Sequence, residues 1–167
     1  MFRTIADFTT EWGQESGNTL KLFRELTDSS LGQRATPDTR SLGALAWHIT
    51  CTFGEMMTTA GLPLAHLVTE QTPAPAAASA IVEAYEAGAK AVGEAVEAHW
   101  TDAQLGEAIP MYGEQWKRGV VLSILAGHQA HHRAQMTVLM RMAGLKVPGM
   151  YGPSREEWPA YGMTAPN

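Results

Sequence analysis

Three of the chain's six histidines, His128, His131 and His132, fall in the stretch GHQAHHRAQM, inside a run that otherwise has the pattern of an apolar helix. Imidazoles this close compete for protons and sit poorly in a core, so the cluster calls for solvent or a metal ion. At about 100° of rotation per residue, His132 lies about 40° round the helix from His128, and Gln135 about 20° to its other side. Val121, Ile124, Leu125, Leu139 and Met142 lie within about 60° of the same direction, which puts His128 and His132 on the stripe expected to face the core. His131 falls at its edge, as a surface residue or a hydrogen-bond partner. Histidines at i and i+4 can direct two ring nitrogens to one ion, the spacing that HExxH motifs use for zinc.

The third ligand has to come from another helix. His66 follows a break at Gly61 and Pro63, and His99 ends a helix beside Trp100, so both are expected to face solvent. His48 lies on the shoulder of an apolar stripe, and Thr52, Glu55 and Thr59 continue a polar seam from it along the helix. That seam favours His48 as the third ligand. Cys51, one turn away, reads as a small buried hydrophobe, with a thiolate ligand as the other option. Glu55 reads as a solvated carboxylate or one that supports a ligand, and direct contact with the ion stays open.

Two familiar metal chemistries fail on named residues. A zincin needs Glu directly after the first histidine as general base, but Gln129 stands there. A ferritin-like di-iron bundle needs inward Glu residues and Glu-x-x-His on two helices, yet no Glu occurs from Trp116 to Ala143. A mononuclear site is what remains.

Four long segments with helical periodicity must position these residues. The first runs from about Ile5 to Leu26, and the second from Asp38 or Thr39, either of which can cap it, to Gly61. An Ala- and Glu-rich third helix spans Ala76 to His99, and the fourth runs from Trp116 to Ala143 and stops at Gly144. Between the last two, a short helical turn is expected at Asp102 to Leu105 and an extended piece at Ile109 to Tyr112. Beyond Gly144 the chain is rich in Pro and Gly and is expected to be irregular, held on the bundle by Tyr151 and Trp158. The economical reading is an all-α four-helix bundle in a single domain over residues 1–167.

A chain of 167 residues can bury a core without a structural ion. One cysteine excludes an internal disulfide and suits a cytoplasmic setting. No signal peptide and no membrane span is expected. A net charge of −5 with scattered basic residues argues against a nucleic-acid partner.

The combination of SLGALAWHIT in the second helix, HQAHHRAQ in the fourth and MRMAGLKVPGMYGP after it resembles the DinB-like family, grouped with bacterial thiol-dependent transferases. The likeness covers nearly the whole chain. The family's fourth-helix signature reads H-x-x-x-H-R-G-Q, and Ala134 replaces its glycine here. The resemblance implies an up-down-down-up four-helix bundle that often dimerises, with metal-binding histidines matching His48, His128 and His132. Small residues at Gly88, Ala91, Gly93 and Ala95 agree with a homodimer formed through the third helix. It does not imply one reaction, since members include mycothiol-dependent isomerases and bacillithiol transferases.

Three neutral imidazoles with an open fourth position are the arrangement of catalytic rather than structural zinc. The resulting expectation is an enzyme holding one divalent ion per chain, Zn or Ni, that activates a low-molecular-weight thiol or water towards a small-molecule substrate. Thiol transfer comes first and hydrolysis second. The alternative is a non-catalytic metal-binding or stress-response protein, and a cleft beside the ion with room for a substrate would separate the two.

Overall fold

A computed structural model describes residues 1–166. Its long elements are helices α1 (Ile5–Phe23), α2 (Leu42–Thr59), α3 (Ala78–His99) and α4 (Arg118–Met142), with strands β1 (Ala108–Met111) and β2 (Glu114–Lys117) between the last two helices. Each helix packs mainly on two others, giving the ring order α1, α3, α2, α4. Named contacts fix the directions. Phe2 meets Gly119 and Glu15 meets Arg133, so α1 and α4 run parallel, whereas Ile5 meets Asp102 and Trp12 meets Ala89, so α3 opposes α1. With Leu45 near Leu139 and His48 near His128, α2 opposes α4, and the bundle is up-down-down-up.

The helix ends follow local chemistry. Both glycine stops are Schellman caps: Gly61 (φ 91°) and Gly144 (φ 71°) adopt left-handed backbone, and Leu62 N–H and Leu145 N–H return to the carbonyls of Met57 and Met140 at 3.0 and 2.9 Å. The second helix starts later than Asp38 or Thr39 because Thr39 spends its hydroxyl on the Thr36 backbone; Ser41 caps instead, accepting from Ala44 N–H at 3.2 Å. The first helix ends at Phe23, and Leu26 stays buried through tighter turns.

The expected short turn is a 3₁₀ helix at Asp102–Gly106. The expected extended piece is one arm of a hairpin whose second strand the sequence reading missed. Tyr112 (φ 51°) and Gly113 (φ 86°) form its two-residue loop, with both φ values positive as in a type I′ turn. Tyr in place of the usual Asn or Asp at the first position hid the signal.

On α4 the core-facing stripe needs correction. Val121, Leu125 and Leu139 are buried as expected, but Ile124 and Met142 are 38% and 52% exposed. Leu122, Gln129, Met136 and Met140 are fully buried, so the buried sector is centred about 80° round the helix from His128. His128 and His132 therefore stand on one flank of it, where a site can open to solvent.

The small residues of α3 are used within the chain. A Cβ on Gly88 would come within 2.6 Å of the Phe53 ring, and one on Gly93 would lie 3.6 Å from Trp12. Beyond α4, Tyr151 reaches the bundle through its hydroxyl while its ring is exposed, and Glu156 pairs with Arg141. Trp158 is half-buried in a 3₁₀ turn. Among the described residues no helix is long and apolar enough to cross a membrane.

Candidate metal centre

Helices α2 and α4 run antiparallel, and each contributes to one cluster: His48 from α2, His128 and His132 from α4. His128 Nε2 lies 3.2 Å from His48 Nε2 and 3.1 Å from His132 Nε2. Tetrahedral zinc with Zn–N near 2.05 Å needs ring nitrogens about 3.3 Å apart, so the spacing fits one ion. One ligand atom from each residue lies within 4.8 Å of the others.

The far side of each ring decides where its lone pair points. His48 Nδ1 contacts the Glu70 carboxylate, and His132 Nδ1 lies 2.7 Å from Gln135 Oε1. Both partners only accept, so both Nδ1 atoms carry the hydrogen and both Nε2 atoms present a lone pair to the centre. Burial, followed by the other imidazoles and Arg40, pushes His128 down to about 4, and burial also leads the lowering at His132. Both rings are neutral at pH 7, the form that binds metal.

Glu70 lies in the connector between α2 and α3, and sequence periodicity gave no sign of it. The connector is tied to α2 by Trp47 Nε1–H, which donates to Thr72 O at 2.8 Å. It also passes so close to Gly54 that a Cβ there would meet Val68 O at 2.5 Å. These two contacts place Glu70 on the outer nitrogen of His48.

The other candidates lie elsewhere. His66 and His99 are exposed, as expected. Cys51 is fully buried, and burial, then the Glu70 charge, pushes its thiol up to about 12, so it remains a thiol. Glu55 is exposed beside Tyr112 of the hairpin turn, and Thr52 is buried with its hydroxyl on Ile49 O, so the polar seam does not continue the site beyond His48. His131 is exposed and contacts Gln135 at 3.4 Å, outside the triad. Gln129 faces away from the histidines, its Oε1 accepting from Tyr85 at 2.9 Å and from Thr19 at 3.3 Å. The position a zincin fills with its base is thus not in the site at all.

A cavity of about 450 Å³ adjoins the cluster, lined by His132 and Gln135, by the apolar Leu45, Val138 and Leu139, and by Arg40 and Thr39. Its size is that of a small-molecule site.

The DinB family model matches residues 1–164. The uncharacterized protein YrdA of Bacillus subtilis is 42% identical over 166 residues, which cover 99% of each chain. A DinB-like protein from Bacillus cereus, solved by crystallography, superposes with a TM-score of 0.86 at 38% identity, over 90% of this chain and all of that one. A second DinB-like crystal structure, YjoA of Bacillus subtilis, shares the fold at 16% identity with a TM-score of 0.68, over 86% of this chain and 96% of that one. With whole-chain agreement in sequence and in the four-helix architecture, the protein belongs to the DinB family.

Proposed function

We propose that His48, His128 and His132 hold one divalent ion, zinc or nickel, and that the protein is a metal-dependent enzyme acting on a small molecule seated in the adjoining cavity. The observation that carries this reading is the tautomer pattern. Glu70 and Gln135 hold the hydrogens of His48 and His132 on their outer nitrogens, leaving two lone pairs to converge beside His128 Nε2. Three imidazoles that bring ring nitrogens to one point, His128 and His132 among them neutral, are matched by a cation.

A dication at such a centre lowers the pKa of a thiol or water, so that neither needs a strong protein base. The chain's own residues supply the rest. Glu70 and Gln135 fix ring orientation, Leu45, Val138 and Leu139 exclude water from one side of the cavity, and its open volume admits a substrate next to His132. Cys51, kept as a buried thiol, is not the nucleophile. The reaction class we favour is transfer of a low-molecular-weight thiol, in which sulfur bonds to an electrophilic carbon, the leaving group departs with its electron pair and the thiol proton passes to solvent. Hydrolysis by the same centre is the second choice. The cavity beside His132 favours an enzyme over a non-catalytic metal-binding or stress-response protein.

The test is elemental analysis of protein purified without a nickel column, followed by a screen of small thiols against electrophiles. Turnover that follows metal content and vanishes in His132→Ala supports the reading. A fully loaded protein with no turnover of any thiol or ester returns it to a non-catalytic metal protein.

A further inference from the structure

The cavity beside the histidines has one formally charged wall residue, Arg40. Among the described residues no carboxylate lines it, and Arg40 makes no ion pair and no hydrogen bond. Arg24, Arg118, Arg133 and Arg141 each meet a glutamate, whereas Arg40, like Arg3, Arg34 and Arg155, forms no ion pair among the described residues; of these four only Arg40 lines this cavity. The cavity is largely apolar and also has His132 in its wall. It is lined as well by Val138, an apolar side chain left 59% exposed.

Arg40 directly precedes Ser41, the cap of α2, but the helix end itself is not free to receive an anion. Leu42 N–H bonds Gln33 O at 2.8 Å, Gly43 N–H bonds Leu31 O at 2.9 Å and Ala44 N–H bonds Ser41 Oγ at 3.2 Å. The Thr39 hydroxyl is likewise committed to Thr36. The guanidinium is therefore the group in this wall with donors to spare.

We infer that Arg40 is a specificity-determining residue that binds a carboxylate on the substrate, whose apolar body lies along Leu45, Val138 and Leu139 with its reacting end towards His132. One planar guanidinium with parallel N–H bonds matches the two oxygens and single charge of a carboxylate. The inference rests on the metal-centred reading only for the direction of the reacting end. The carboxylate belongs either to the thiol or to its acceptor, and the two are separable.

The test uses zinc-loaded wild type and Arg40→Gln, titrated calorimetrically with hexanoate and with hexanamide. Wild type is expected to bind hexanoate at least about ten-fold tighter than hexanamide, as suits a charge-assisted pair, and Arg40→Gln to lose that preference with its metal content unchanged. Equal binding of the two probes to wild type, binding of neither at millimolar concentration, or a preference that survives in Arg40→Gln overturns the inference. The last result would mean that the ion itself holds the carboxylate. In cobalt-loaded protein, 6-mercaptohexanoate against 6-mercaptohexanamide then reads the source: an Arg40-dependent difference in sulfur-to-cobalt absorption assigns the carboxylate to the thiol, and equal responses assign it to the acceptor. No such absorption with either thiol ends the thiol-transfer reading while the hexanoate result stands.

Discussion

His132 and Arg133 are consecutive on α4, and they serve the two flanks of its buried face in opposite ways. Arg133 is 1% exposed and finds its counter-charge and several acceptors within the chain. It pairs with the Glu15 carboxylate and donates to Glu15 O at 2.8 Å, to Thr19 Oγ1 at 2.9 Å and to the Tyr151 hydroxyl at 2.5 Å. His132 joins two other imidazoles in a cluster that, among the described residues, contains no carboxylate. A buried charge is tolerable once its counter-charge and hydrogen bonds are present, so the first flank is structural. The second has donors of electron pairs and no acceptor, which is the signature of a site finished by something bound.

The largest effect that would sharpen this contrast is Arg133→Met. It leaves the Glu15 carboxylate buried without its cation, and stability measured by urea unfolding is expected to fall by about 3–5 kcal/mol. Folded Arg133→Met should still bind metal, because none of the three Nε2 atoms depends on the guanidinium. Unchanged stability would break the contrast from the structural side.

Next in size is Glu70→Ala. Glu70 is about half exposed, so folding should barely change, but His48 loses the acceptor that fixes its tautomer. Metal affinity, measured by competition with a chelator, is expected to drop about 10- to 100-fold. An affinity equal to wild type would remove Glu70 from the site.

A third effect is on acid stability of the metal-free protein. His128 titrates near 4 in the fold against 6.5 for the free side chain, so between these values the unfolded chain holds more protons. Stability is therefore lost as pH falls from about 6.5 towards about 4, with no further loss from this group below that. Metal-free His128→Leu should lose less stability than wild type over the same window, its slope smaller by at most about one proton. Identical slopes would mean that His128 is as easily protonated in the fold as outside it.

The histidine flank was legible because it rests on periodicity: residues four apart on a helix share a direction, and His48 stood beside an apolar stripe on another helix. The centre of the buried sector on α4 was not, because Gln129 and Arg133 are polar by type, although both are buried on the side away from His128. A signal for that placement did exist. Glu15 and Thr19 are four apart on α1, as Gln129 and Arg133 are on α4, so each helix carries a matching polar pair. Their pairing spans more than a hundred residues of chain, and nothing local records it. Glu70 and Arg40 lie in connectors, whose course depends on tertiary contacts such as Gly54 against Val68 O. For such residues, neither spacing nor composition carries the information.

The central claim is that one ion is held by three specific imidazoles, and metal counted per chain in four single variants tests it most directly. With each protein purified without a nickel column and its folding checked by circular dichroism, wild type and His131→Ala are expected to hold about one ion per chain. His48→Ala, His128→Ala and His132→Ala are expected to hold almost none, since no neighbour can offer a lone pair at the same place. Full retention in His48→Ala, or loss in His131→Ala with retention in His132→Ala, would contradict the site.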